Sequence, residues 1–300
     1  MRRTVMIMGL VLALGFGVLW LTGGVAVLQA WVQGMQHVAQ DRLAGAVRAL
    51  RGGEPGAVMA LLAVCFTYGV LHAAGPGHGK MLIGGYGVAR RVRVLPLAGI
   101  ALASSLAQAA VAVALVYAAV AVLGWTRTAV LGTAEDVMAP ISHALIAGLG
   151  LWLVWRGVGG LRRQAAEGHG HGHDAHGHVH GPECGHAHGP TLAEVGRLTG
   201  WRDTVALIAG IAIRPCSGAL FLLILTWQLG VGMAGVAGAF AMGLGTAVVT
   251  VLVAAMAVWA REGALATLSG GRVARAMPVL ELAVGAVIML VALGLLQQSI

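Results

Sequence analysis

His72, His78 and Lys80 stand in the string His72-Ala-Ala-Gly75-Pro76-Gly77-His78-Gly79-Lys80, inside a long apolar run that begins near Ala57. Neutral imidazole is a good ligand for nickel, cobalt, zinc and copper, whereas magnesium and calcium prefer carboxylates, carbonyls and water. Residues six apart on an unbroken helix point to different faces. Gly75-Pro76-Gly77 cannot continue a regular helix: proline lacks an amide proton and clashes with the preceding turn, and each glycine is a weak helix former. Either the break folds His78 back toward His72, giving a two-nitrogen site beside freed carbonyls, or it is a structural kink whose histidines only satisfy backbone groups. Gly75-x-x-x-Gly79-Lys80 fails as a phosphate-binding loop on spacing, on Met81 in place of Ser or Thr, and on the lack of a strand. No nucleotide is implied.

A second interruption, Arg214-Pro215-Cys216-Ser217-Gly218, falls about ten residues into a later apolar run. An arginine within such a run is a functional-site candidate by default. It either binds carbonyls exposed by the break or acts as a displaceable positive charge. Cys216 offers a soft thiolate, or is a small apolar residue like most buried cysteines. His143, beside Ser142, is open to metal binding and to helix packing alike, as are the polar patch Ser104, Ser105 and Gln108 and the pair Thr246 and Thr250. Glu281 is either a proton or cation partner or an interfacial carboxylate.

The third constellation is a segment from Gln164 to Pro190 with His169, His171, His173, His176, His178, His180, His186 and His188 among glycines, plus Asp174, Glu183 and Cys184. Such a core-less His-rich tract is suited to collecting metal. Its His-x-His spacing allows many shifting arrangements, so it binds several borderline metals without strong selectivity and releases them on protonation. The plain alternative is an inert solvated linker.

The elements that position these residues are membrane helices. The chain is 58% hydrophobic and 10% charged, with 47 glycines, and its mean hydropathy is +0.86, too apolar to coat a soluble globule. The expected fold is all-α: a polytopic membrane helix bundle. The formal charge of +8 arises mostly beside apolar spans, so lipid orientation explains it better than nucleic acid. Cys65, Cys184 and Cys216 suggest no disulfide framework, and no CxxC pair or haem motif supports a membrane redox enzyme.

Met1-Arg2-Arg3 followed by Thr4 to Leu21 reads as a retained first helix or a signal sequence. Trp31, Met35, Val38, Leu43, Ala46, Val47 and Leu50 recur near helical spacing, which suggests an amphipathic helix at the membrane surface, with His37 an ordinary surface residue. Apolar spans then run from Ala57 to Val88 with the break, Val94 to Leu123, Val137 to Val158, Thr204 to Leu229, Val231 to Ala260 and Pro278 to Leu296. The organisation is therefore an N-terminal helix (1–30), a periplasmic amphipathic segment (31–56), a first three-helix half (57–160), a cytoplasmic His-rich loop (161–202) and a second three-helix half (203–300). With the N-terminus inside, basic residues concentrate in the inner segments and only Arg42, Arg48, Arg51 and Arg127 fall outside, so the positive-inside rule puts the C-terminus outside.

An offset of 139 lays Pro76 on Pro215, Gly79 on Gly218 and Gly99 on Gly238. Three spans plus three, an odd number per copy, forces the second copy to be inverted. Inverted repeats with discontinuous helices are a design of secondary transporters.

The run Tyr68-Gly-Val-Leu-His72-Ala-Ala-Gly-Pro-Gly-His78-Gly-Lys80, the later Arg214-Pro-Cys-Ser-Gly-Ala219 and the His-rich loop between them resemble the NicO-type nickel/cobalt efflux proteins, which belong with the LysE-like transporters. The resemblance covers Ala57 to the C-terminus. Related uptake permeases carry His-x4-Asp-His, where this chain has Gly77 before His78. What the resemblance implies is export of nickel and cobalt across a bacterial inner membrane, with His72 and His78 as transport ligands. No enzyme and no prosthetic group are expected; the metal, including zinc or another borderline ion, is cargo. The expected partners are the lipid bilayer and the metal, with a homo-oligomer or a periplasmic protein open. The rivals are uptake by the same architecture and a membrane metal sensor or metallochaperone through which nothing crosses.

Overall fold

The computed structural model describes residues 22–75, 78–90, 92–122, 124, 126–168, 201–266 and 270–298. The first helix expected at Thr4–Leu21, residues Pro76 and Gly77, and all eight clustered histidines lie outside these residues. All regular structure within them is helical. In chain order, α1 is Gly24–Arg51, α2 Ala57–Ala74, α3 His78–Ala89, α4 Val94–Val116, α5 Arg127–Gly132, α6 Ala139–Gly168, α7 Trp201–Ala212, α8 Ser217–Gln228, α9 Gly232–Ala266 and α10 Gly270–Gln298. Two π-helical stretches, Tyr117–Val122 and Thr133–Met138, extend α4 and join α5 to α6.

Among the described residues five helices are long and apolar enough to cross a membrane, or six if α7 and α8, bent by 58°, count as one span. The protein is thus a multi-pass membrane bundle. α2, with 18 residues, rises about 27 Å, close to the thickness of a hydrocarbon core. Large apolar side chains point outward, Leu95, Met59, Trp155 and Leu290 among them. In lipid this outer face needs no polar cover, because the surrounding solvent is itself apolar.

Both interruptions expected from sequence occur. α2 ends at Ala74, Gly75 is extended and α3 starts at His78. α7 ends at Ala212, and Cys216, also extended, precedes α8. Two apolar cores form on either side of these breaks. One gathers Leu43 and Val47 of α1, Leu61 and Tyr68 of α2, and buried residues of α8. The other gathers Leu82 and Tyr86 of α3, Leu207 and Ile211 of α7, and parts of α6 and α10. The long helices run through both. α4 passes from the second core (Leu97, Ala101) to the first (Ala112, Val116), and α9 from the first (Ala239, Met242) to the second (Ala254, Val258). The first broken helix therefore runs from core one to core two, and the second runs the other way.

Helices approach closely where glycines leave room. A Cβ on Gly69 of α2 would strike the backbone of Met242, and one on Gly245 of α9 the backbone of Phe66. Gly150 of α6 and Gly285 of α10 face each other in the same manner. With no hydrophobic force between helices in lipid, such small-residue crossings let dispersion contacts and backbone approach hold the bundle. α1 packs on α2, and its apolar residues divide: Ala39, Leu43 and Val47 are buried, whereas Trp31, Met35 and Val38 are exposed, as is His37. Glu281 forms an ion pair with Arg156 at 3.6 Å and approaches Arg90 at 4.0 Å, while Arg90 and Arg156 both lie over the Trp152 ring.

A Cβ at position 150 would sit 2.7 Å from Met289 N and 2.9 Å from Gly285 O. Gly150→Ala should therefore lower stability by roughly 1–3 kcal/mol. Gly148→Ala, with nothing within 4 Å of its Cβ, should leave the melting temperature of the purified protein unchanged or raise it. Equal melting temperatures for the two variants would contradict this packing.

Candidate functional site

Breaking a helix inside a bundle frees carbonyls that must find donors away from water. The C-terminal turn of α2 finds them in side chains. Lys80 Nζ donates to the carbonyls of Ala73 and Gly75, and Gln36 of α1 donates to Leu71 O at 3.1 Å. The ammonium also meets the negative end of the helix dipole. At the second break, Gln108 Nε2 donates to Arg214 O at 2.6 Å and Ser142 Oγ to Gly210 O at 2.8 Å.

Between the breaks lies a cavity of about 260 Å³. His72 and Lys80 reach it from the first broken helix, Arg214 and Cys216 from the second. The imidazole of His72 and the thiol of Cys216 adjoin each other across the two breaks. Tyr68 stacks on His72 with ring centroids 6.1 Å apart, its hydroxyl accepts from Gln40 Nε2 at 3.2 Å, and it reaches Ser217 and Cys216. The Arg214 guanidinium pairs with His143 Nε2 at 3.0 Å. Arg214 is thus directed at His143, and the carbonyl that needs a donor is its own. Ser104, Ser105 and Gln108 of α4 and Thr246 and Thr250 of α9 complete the polar lining.

The glycines of the two Pro-x-x-Gly strings have reciprocal neighbours. Gly79, at the start of α3, packs on Ile211 at the end of α7; Gly218, at the start of α8, packs on the ring of Tyr68 near the end of α2. Each post-break helix thus rests against the pre-break helix of the other pair.

The structure brings His72 and Cys216 together and sets His143 apart with Arg214. The side chain of His78 lies outside the described residues, as do Pro76, Gly77 and the His-rich segment. Among the described residues no three His, Cys, Asp or Glu side chains converge as a ready metal cage. An imidazole beside a thiol is a soft donor pair suited to borderline metals.

Sequence reasoning missed three groups. Glu135 lines the cavity and lies close enough to Arg214 to interact with its charge. Its position in a π-helical stretch carries no sequence signature, though such stretches recur at functional sites. Gln36 and Gln40 stand among surface polar residues of α1, and only its docking on α2 turns them toward the site. Tyr68 was legible within the motif but had no assigned role.

Gly218→Ala would drive a methyl into the Tyr68 ring, which stacks on His72, whereas Gly79→Ala meets Ile211 Cγ2 at an ordinary 3.4 Å. A clash of about 1–3 kcal/mol corresponds to roughly a ten- to hundredfold loss of nickel affinity in Gly218→Ala. Gly79→Ala should bind nearly as wild type. Calorimetry on protein whose loop histidines are replaced by asparagine isolates the effect, and equal affinities in the two variants would contradict it.

Comparison with known proteins bears on what such a site handles. Residues 58–197 match the family model described as NicO, high-affinity nickel-transport protein. A Haemophilus influenzae protein named "Putative nickel/cobalt efflux system" is 29% identical over 217 residues, 68% of this chain and 67% of that one. No solved structure matches.

Proposed function

We propose that the chain, whose residues 58–197 match the NicO family of nickel-transport proteins, is a transporter of that kind and not an enzyme, and that it exports nickel and cobalt from the cytoplasm as a secondary transporter. The observation that carries this reading is the polar cavity at the meeting of two interrupted helices, where His72 and Cys216 offer a soft donor pair. His78 is the third donor of the site, added when the ion binds. His143 and Arg214 flank it: the guanidinium, held by His143, repels the ion once the site opens outward and so favours release.

The two halves are an inverted repeat. Support comes from the opposite directions in which the two broken helices, and likewise α4 and α9, traverse the two cores, and from the reciprocal packing of Gly79 and Gly218. The halves rock about the cavity to expose it to alternate sides. The bundle sits in a bacterial inner membrane, the C-terminus periplasmic and the His-rich loop cytoplasmic, where the loop raises the local metal concentration. The chain carries no ATPase motif, so an ion gradient or a partner drives transport. Export is favoured over uptake by the name of the Haemophilus relative and by Gly77 in place of the aspartate of the uptake permeases.

Metal accumulation in nickel-challenged cells tests the assignment. Cells expressing wild type should retain less nickel than cells lacking the protein. His72→Ala, Cys216→Ala and His78→Ala should each restore accumulation by roughly tenfold or more, the loss expected when a metal ligand is removed. Deleting the loop should weaken export only at low metal. If the single variants export like wild type the site is wrong, and if wild type raises accumulation the direction is wrong.

A further inference from the structure

We propose that the serine and threonine hydroxyls of α4 and α9 bind the water shell of the transported ion, so that nickel or cobalt crosses the cavity partly hydrated and is recognised through its waters. The proposal deepens the transport reading above and rests on it. His72 and Cys216 supply two protein donors, and among the described residues no group of three or more His, Cys, Asp and Glu side chains converges to hold a metal. An ion held so sparsely keeps much of its hydration. The space fits: about 260 Å³ at about 30 Å³ per water admits roughly eight waters, enough for an ion and its shell.

The hydroxyls are polarised to receive that shell. Ser105 Oγ donates to Ala101 O at 3.0 Å, Thr250 Oγ1 shares its one proton between Thr246 O and Ala247 O, each at 3.0 Å, and Thr246 Oγ1 donates to Gly69 O at 3.3 Å. A hydroxyl has one proton and two lone pairs. With the protons committed to backbone, what remains for the cavity is a set of acceptors. Ser105 Oγ and Thr250 Oγ1, 3.4 Å apart, stand side by side in this way. Water bound to a divalent metal is a strengthened donor because the ion withdraws its electrons, so this wall matches a hydrated cation and rejects an anion.

Ser104 points to the same ligand independently. Ser104 is among the residues that line the cavity and is 1% exposed, and its oxygen, itself buried, has no hydrogen-bond partner among the described residues. Buried polar atoms in native proteins almost always have partners, so such an orphan calls for a bound group. A water layer also spaces the ion from the Lys80 and Arg214 charges in the same cavity, and repulsion falls with distance and with dielectric.

The test uses full-length protein in vesicles of neutral lipid, with nickel flux as readout and hexaamminecobalt(III) as probe. That complex has the size of a hydrated ion but exchanges its ligands too slowly to bind histidine or thiolate directly. It should inhibit wild-type flux competitively. Ser104→Ala combined with Thr250→Val should lose at least tenfold in sensitivity to the complex and raise the nickel KM, while Thr250→Ser, which keeps the hydroxyl, should behave as wild type. Failure of the complex to inhibit wild type, or unchanged inhibition of a double variant with a wild-type melting temperature, overturns the hydration-shell site alone. Absence of nickel flux in wild-type vesicles overturns the transport reading and the proposal with it.

Discussion

Everything near the centre of this bundle answers to one constraint: two helices are broken where no bulk water can satisfy the carbonyls they release. A lone unsatisfied carbonyl in hydrocarbon costs several kcal/mol, and several carbonyls at the breaks draw side-chain donors. Lys80 reaches back over Gly75, Gln36 reaches in from α1, Gln108 from α4 and Ser142 from α6. These donors come from most of the helices that surround the breaks. The interruption of two helices thereby ties down three others, α1, α4 and α6.

The cavity follows from the same constraint. Each broken helix contributes one piece to each apolar core, and the long helices α4 and α9 thread both, so the space between the cores is where the chain ends of the breaks and the polar midpoints of the long helices meet. Apolar packing above and below keeps that space from collapsing sideways. The glycines at 79 and 218 let each second piece rest closely on a side chain of the other pair's first piece, Ile211 and Tyr68. The His72–Cys216 pair then forms across the two breaks, drawn from opposite halves of the chain.

The breaks, the helical spans, the intramembrane charges and the His-rich segment were legible in the sequence, since each rests on local chemistry. Proline stops a helix wherever it stands, and an apolar run long enough to span lipid reads as one from composition alone. Gly77 and Pro76 marked the first interruption and Pro215 the second, and the structure has both. What was illegible were relations between residues distant in the chain. Nothing local in Glu135, Gln36 or Gln40 sets them apart from surface polar residues.

The sequence by itself determined a polytopic helical membrane protein with two interrupted helices and the residue types for borderline-metal chemistry, because hydropathy, proline and imidazole act through their own covalent structure. Only the tertiary structure decided that His72 meets Cys216 while His143 takes Arg214, that Lys80 is spent on the carbonyls of its own break, and that the hydroxyls of α4 and α9 share a single cavity. Apart from the Lys80 contacts, which are local, those pairings join residues from some seventy to nearly one hundred and fifty positions apart. They are set by how helices cross, which depends on the summed packing of many small contacts and not on any one residue's identity.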